Sequence, residues 1–114
     1  MMQMEQEQRA VCAQYSAEYL PCFANDRLGF ALATKGLVPI NGLRHTPEDG
    51  VSGWYIWCGE EFSEAADFFA PLCASHIYDE FPEIGKYLGL APGYRFLLAG
   101  EHIDVWFDES LLNT

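Results

Sequence analysis

The feature that most constrains the fold is a run of five consecutive large or apolar residues, from Trp54 to Cys58. A strand with one face in water alternates apolar and polar residues, whereas this run is apolar on both faces. Side chains alternate across a strand, so Trp54, Ile56 and Cys58 face one way and Tyr55 and Trp57 the other. The run therefore predicts a strand whose second face is covered by the protein's own helices or by another protein.

Composition places the chain among single-domain globular proteins. Its 114 residues are 50% hydrophobic and 15% aromatic, which is enough apolar surface for a packed core. No apolar run approaches the ~20 residues that a membrane-spanning helix needs. The N-terminus is polar and acidic, whereas a signal peptide has a basic start followed by an apolar run. We therefore expect a cytoplasmic protein.

The charge balance is strongly acidic. Seventeen acidic residues against six basic ones give a formal net charge of −11. Phosphate backbones and anionic lipids repel such a chain, so neither nucleic acid nor a membrane is expected as a direct ligand. A basic protein partner would be attracted, and its association would be accelerated. Solubility alone also accounts for an acidic surface, and the charge does not decide between the two interpretations.

The order of the predicted elements is that of an α+β domain with a largely antiparallel sheet. An N-terminal helix is predicted at residues 4–20, ended by Pro21. Strands are predicted at residues 30–34, 37–45, 53–58, 94–99 and 102–108. A tight turn is expected at Asn41-Gly42, and a loop at residues 46–50. The last two strands form a hairpin. The helices before it are predicted at residues 64–69, capped by Ser63, and at 76–88, where Pro82 either kinks the helix or starts a new one.

The late strands each have one wholly apolar face and one mixed face. If they are neighbours in register, the mixed face combines aromatic rings with charges, and it collects Tyr55, Trp57, Arg95, Leu97, Asp104, Trp106 and Asp108. One interpretation is that a helix covers part of this face and that Arg95 pairs with Asp104 or Asp108. The other is a partner surface, in which aromatic anchors are surrounded by acidic residues.

Four segments in order, residues 36–45, 52–57, 87–97 and 104–112, resemble family thirty-three of the immunity proteins of bacterial polymorphic toxin systems. The resemblance extends from about residue 9 to residue 112 and implies a single immunity-type domain over residues 9–114, preceded by a flexible tail of residues 1–8. It also implies a cytoplasmic antitoxin that binds and blocks a cognate toxin without catalysis. The chain departs from the family pattern at Cys73, where a histidine is usual, which weakens any shared metal role at that position.

Catalytic and metal-binding interpretations have little support in the sequence. The carboxylate pairs Asp104 and Asp108, or Glu60 and Glu61, could act as acid and base if one member were buried. Acidic pairs arise by chance in so acidic a chain, however, and no nucleophile or phosphate-binding motif accompanies them. The four cysteines show no Cys-x-x-Cys pair, so no zinc site is expected. We predict no catalytic residue, no metal and no cofactor.

The predicted partner surface consists of acidic and aromatic residues near the strand ends and the hairpin. We expect it to dock on a basic region of a toxin, for which a nuclease is one suitable class. An acidic α+β interaction module with a partner unrelated to toxins is the alternative function, and the oligomeric state is left open. The candidate contacts are Glu60, Glu61, Glu101, Asp104, Trp106, Asp108 and Glu109.

Overall fold

A computed structural model describes residues 2–63, 65 and 67–113. It confirms the α+β class, with an N-terminal helix, a mostly antiparallel sheet and helices before the C-terminal strands. The elements, in chain order, are α1 Met2–Gln14, β1 Arg27–Phe30, a 3-10 turn Leu32–Thr34, β2 Ile40–Arg44, β3 Val51–Cys58, β4 Ala70–Cys73, α2 Ala74–Glu80, α3 Pro82–Gly85, β5 Tyr94–Ala99, β6 His102–Phe107 and a 3-10 turn Glu109–Asn113.

Strand β3, which carries the apolar run, lies inside the sheet. Within the described residues the sheet has six strands in the order β4-β1-β3-β2-β5-β6. Strand β1 pairs with β3 in parallel, and the other neighbouring pairs are antiparallel. Both edges of β3 are therefore hydrogen-bonded, and only its faces need covering.

One face of the sheet packs against the α-helices and forms the main core. Trp54 and Ile56 of β3 and Phe96 of β5 meet side chains of the helices here, including Ile77 and Ile84. The indole of Trp54 is fully buried, and its Nε1 donates a hydrogen bond of 2.9 Å to the Leu88 carbonyl. Burying apolar rings contributes roughly 25 cal/mol per Å² of apolar area, and the larger of the two buried clusters lies on this face.

The second face of β3 is covered by the loop before β4 and by the final 3-10 turn. Trp57 is buried there together with Leu43 and Leu111, and Phe69 packs edge-on against Tyr55 at 5.1 Å. The α-helices contribute to the other core, so a loop and a 3-10 helix, and not an α-helix, cover this part of the face. Aromatic rings of the loop cover this face instead, because edge-on ring contacts bury apolar area without a regular helix or strand.

Arg44, at the end of β2, is a buried guanidinium whose hydrogen bonds go to backbone carbonyls. Its side chain is 1% exposed and stacks over Trp54, with 5.6 Å between Cζ and the ring centroid. The Nε donates to Ser52 at 2.9 Å, and Nη1 donates to Leu20 at 2.9 Å and to Leu90 at 2.8 Å. These bonds join the connection after α1, the start of β3 and the connection after α3.

Helix α1 ends at Gln14, and the predicted end at residue 20 was wrong. Ser16 adopts a left-handed conformation with φ of 55°. The Ala17 N–H then donates to the Cys12 carbonyl at 2.8 Å, and the Ser16 N–H donates to the Ala13 carbonyl at 3.3 Å. This pair of bonds is a Schellman cap, which satisfies carbonyls that the helix end would leave unpaired. The division into a tail of residues 1–8 and a domain of residues 9–114 stays a prediction.

Gly42 lies inside β2, so the turn predicted at Asn41-Gly42 was wrong. It is paired with Ile56 on one side and with Phe96 on the other. A Cβ at this position would overlap the Phe96 ring, so the glycine is required by the close approach of that ring and not by a turn.

Other predicted bounds also differ from the structure. The predicted strand at residues 30–34 is shifted, because β1 ends at Phe30 and a 3-10 turn follows. Pro82 starts the new helix α3, the second of the two alternatives. The short helix predicted at 64–69 includes Glu64 and Ala66, which lie outside the described residues, while residues 67–69 form a turn and bend.

We expect Arg44→Met to lower the free energy of unfolding by roughly 3–5 kcal/mol, because the carbonyls that Arg44 satisfies would stay buried without donors. Denaturant unfolding measures the change. Arg27→Met is the matched control, since the Arg27 side chain is exposed and its loss should change stability by no more than about 0.5 kcal/mol. An Arg44 variant that unfolds with the parental midpoint would contradict the role given to this residue.

Gly42→Ala should also destabilise the fold, by roughly 1–3 kcal/mol, because the added methyl group overpacks the Phe96 ring. Phe96→Leu frees space at the same point, so the double variant should be more stable than the sum of the single effects predicts. A thermal or denaturant double-mutant cycle measures this coupling. Strict additivity would show that the two residues do not compete for space.

Candidate protein-interaction surface

The structure divides the seven predicted contact residues among three places on the sheet. Glu60 and Glu61 follow β3, and Glu101 lies in the β5–β6 turn. The register pairs Cys58 with Ile40, Ile40 with Leu98 and Leu98 with Ile103, so these three carboxylates are at the same end of the sheet. Asp104 and Trp106 lie on the face of β6 that points away from the α-helices. Asp108 and Glu109 follow β6 at the opposite end of the sheet.

The end of the sheet that carries Glu60, Glu61 and Glu101 also carries exposed apolar side chains, which the sequence analysis did not identify. We call this region the β3-end surface. Its apolar members, with their exposed fractions, are Leu37 (56%), Val38 (68%), Phe62 (53%) and Ile103 (42%). Single exposed apolar residues are ordinary, whereas a continuous group rimmed by charges is typical of protein-interaction sites. The signal in the sequence was the apolar pair Leu37-Val38 between Gly36 and Pro39. A strand was predicted from residue 37, whereas β2 begins at Ile40 and leaves this pair in a loop.

Two adjoining pockets make the β3-end surface concave. The larger has a volume of about 530 Å³ and lies between Leu37, Phe62 and the carboxylates Glu60 and Glu61. The smaller, of about 260 Å³, is lined by Ile103, Glu83 and Lys86 among others. Val38 lines both pockets and therefore connects them. This arrangement can receive an apolar side chain of a partner while the rim attracts basic groups.

The floor of the larger pocket is fixed by the second core. Phe62 packs edge-on against Trp57 at a centroid distance of 5.1 Å and against Phe68 at 6.0 Å. Trp57 is itself buried in β3. The exposed ring is thus attached to the sheet, so a partner that docks on it need not order a mobile side chain first.

On the face of the sheet that points away from the α-helices, a carboxylate and an indole of β6 lie beside a guanidinium of β5. The Asp104 carboxylate lies 2.9 Å from the His102 Nε2, and both side chains are exposed. The Arg95 guanidinium lies over the Trp106 ring, with 5.5 Å between Cζ and the centroid. Trp106 remains 40% exposed. Asp104 and Trp106 are therefore accessible to a partner.

Asp108, by contrast, is already engaged in the fold. Its carboxylate accepts hydrogen bonds from the Ser110 Oγ at 2.6 Å, from the Ser110 N–H at 3.1 Å and from Arg95 at 3.1 Å. The ion pair with Arg95 was one of the two expected from the sequence. The hydrogen bond from the Ser110 hydroxyl, and to a lesser extent the one from Arg95, holds the pKa of Asp108 below its ordinary value. Asp108 thus fixes the chain where it leaves β6.

Three of the four cysteines are buried free thiols. Burial raises the pKa of the Cys12, Cys22 and Cys58 thiols, which keeps them protonated at neutral pH. Within residues 2–63, 65 and 67–113, no group of three or more metal-ligating side chains comes together. In the same part of the chain, no helix has the length and apolarity needed to span a bilayer.

Comparison with known proteins assigns the family. The family model described as the Imm33-like domain matches residues 7–108. The chain belongs to the Imm33-like family. No curated protein and no solved structure matches it. The matched range of the Imm33-like domain includes the main core, all of the β3-end surface and the second core except Leu111. It ends at Asp108, one residue before Glu109.

We expect Ser110→Ala to raise the pKa of Asp108, because the variant removes the hydroxyl donor. Folding lowers this pKa, so the carboxylate contributes stability above the unfolded pKa of about 4, and that contribution is lost as the pH falls through the lowered value. The variant should therefore lose less stability on acidification below pH ~4. Carboxyl-carbon NMR titration of Asp108 measures the shift, with Ser63→Ala as a remote control, and an unchanged titration would contradict the assigned cause.

Proposed function

We propose that this Imm33-like domain is an immunity protein that binds a cognate bacterial toxin domain in the cytoplasm and occludes it without performing chemistry. The observation that carries the proposal is the family match over residues 7–108. Family membership alone names no partner, and the surface of the chain supplies the further support.

The β3-end surface has the anatomy of a protein interface. Exposed apolar side chains lie at its centre, and carboxylates surround them, which is the usual division into a dry core and a polar rim. The formal net charge of −11 makes a basic partner the complementary one. A nuclease fits this description, because an enzyme that holds a phosphate backbone must present a basic face. Carboxylates docked on that face would occupy the position of the phosphates.

The proposed mechanism is stoichiometric occlusion. The carboxylates Glu60, Glu61 and Glu101 would accelerate the encounter with a basic toxin. Leu37, Val38 and Phe62 would slow dissociation once their apolar area is buried. Rim charges act mainly on association rates and apolar anchors mainly on dissociation rates, so the two groups can be separated by kinetics.

The variant Glu60→Gln, Glu61→Gln, Glu101→Gln tests the electrostatic part of this proposal. We expect its association rate with the toxin domain encoded by the adjacent gene to fall roughly tenfold at low salt, with a flatter salt dependence. The matched control Glu18→Gln, Glu48→Gln, Asp49→Asn removes the same charge elsewhere on the surface, and Glu48 and Asp49 lie in the β2–β3 connection at the opposite end of the sheet. Equal rates for the two variants would contradict docking at the β3-end surface.

A rescue assay tests the function itself. Cells that express the adjacent gene's toxin domain should survive when they also produce this protein, and they should survive less well with the triple glutamine variant. If the protein neither binds that toxin domain nor protects the cells, the immunity function is wrong. The alternative of an acidic interaction module with an unrelated partner would then be favoured.

A further inference from the structure

The outer edge of β4 is closed to strand pairing by a proline. The Ala74 N–H donates to the Asp26 carbonyl at 2.8 Å, which fixes the alternation of the β1–β4 ladder. Leu72 and Ala70 therefore direct their backbone groups towards β1, and Pro71 directs its ring nitrogen outward. Because proline has no N–H, this edge lacks a donor at its centre.

The opposite edge, β6, has no such protection. The Asp108 N–H donates to the Gly93 carbonyl at 2.7 Å, and the pairing with β5 continues without a register shift from Phe107 to His102. Alternation then directs the N–H and C=O groups of Ile103, Val105 and Phe107 away from β5. The strand contains no proline and no glycine. Its outward backbone groups form a regular template for another strand.

We propose that the open edge of β6 is a strand-addition site, at which a strand of a basic partner protein extends the sheet. The identification of that partner as a toxin rests on the function proposed above, whereas the mode of binding is a separate inference from the backbone of β6. Main-chain hydrogen bonds would supply affinity, and the side chains on the two faces of β6 would supply specificity.

The side chains of β6 define the chemistry of the incoming strand. On the helix-covered face, Ile103 and Phe107 are exposed and leave apolar area uncovered. On the other face, Asp104 and Trp106 are exposed. A complementary strand would therefore alternate apolar and basic residues. Its apolar residues would pack beside Ile103 and Phe107. Its basic residues would lie beside Asp104 and over the Trp106 ring.

Strand β5 already shows this complementary pattern on the inner edge of β6. Tyr94, Phe96 and Leu98 of β5 contribute to the main core on one face. Arg95 lies on the other face, where it stacks on Trp106 and pairs with Asp108. The partner strand would repeat on the outer edge what β5 does on the inner edge.

Charge favours a basic partner over a second copy of this chain. Each copy carries a formal net charge of −11. Glu101, Asp104 and Glu109 lie at or beside the open edge, so pairing of two β6 strands would bring like charges together. A basic strand meets the same carboxylates with the opposite sign.

Amide hydrogen exchange, read by NMR on the full protein, tests strand addition. The probe is the catalytically inactivated toxin domain encoded by the adjacent gene. In the free protein the Ile103, Val105 and Phe107 amides should exchange fast, and the Asp104 and Trp106 amides, bonded to β5, should exchange slowly. Binding should slow exchange of the outward amides at least tenfold. A complex that leaves these amides fast overturns strand addition while the immunity function stands, and the absence of any complex overturns both.

Val105→Pro provides the matched variant test. It removes an outward N–H without breaking a bond to β5, so the variant should keep its fold, as measured by its unfolding curve. Its affinity for the same toxin domain should fall at least tenfold, because the partner's carbonyl loses its donor. Val105→Ala keeps the N–H and should bind within about threefold of the parent. If the folded proline variant binds the toxin domain as tightly as the parent does, the proposal is overturned. It is also overturned if the protein without toxin sediments as a dimer and Val105→Pro abolishes that dimer, because the edge would then pair with a second copy of the chain.

Discussion

The rest of the structure depends on the burial of one guanidinium, that of Arg44. Removing a charged group from water costs several kcal/mol, and only well-placed hydrogen bonds offset that cost. Here the acceptors are backbone carbonyls, among them those of Leu20, Ser52 and Leu90, rather than a carboxylate. Burial lowers the pKa of Arg44. Because the acceptors belong to segments far apart in sequence, the guanidinium is satisfied only when the connections after α1 and α3 are both in place.

This requirement gives the two ends of the sheet different connections. Arg44 is the last residue of β2, and the connections that it binds bring the helices onto one face at that end. The opposite end, where β2 begins at Ile40, has loops and the β5–β6 turn instead. Apolar side chains there, such as Val38 and Phe62, remain exposed. The connections that Arg44 binds hold one end of the sheet together, and the concave β3-end surface lies at the other end.

Sequence patterns predicted what depends on near neighbours in the chain. The strand at Trp54, the final hairpin and the two faces of the sheet all followed from alternation. Gly42 was misinterpreted as a turn, because the ring that excludes a side chain there belongs to Phe96, far away in the sequence. The end of α1 was missed, because a left-handed serine is uncommon. Strand β4 was missed, because Pro71 breaks a strand anywhere except at an outward-facing edge position.

The candidate site shows the same division between local and distant information. Carboxylates could be identified from composition and position, but their exposure depended on tertiary contacts. These contacts engage Asp108 with Arg95 and Ser110 and leave Asp104 exposed beside His102. An open edge strand is a hazard, because it can pair with copies of itself. Charges at the edge of β6 oppose that pairing without removing the backbone donors, whereas the proline of β4 removes a donor outright. An edge that is protected from self-pairing only by its charges can still bind selectively, since these charges repel an acidic strand and attract a basic one.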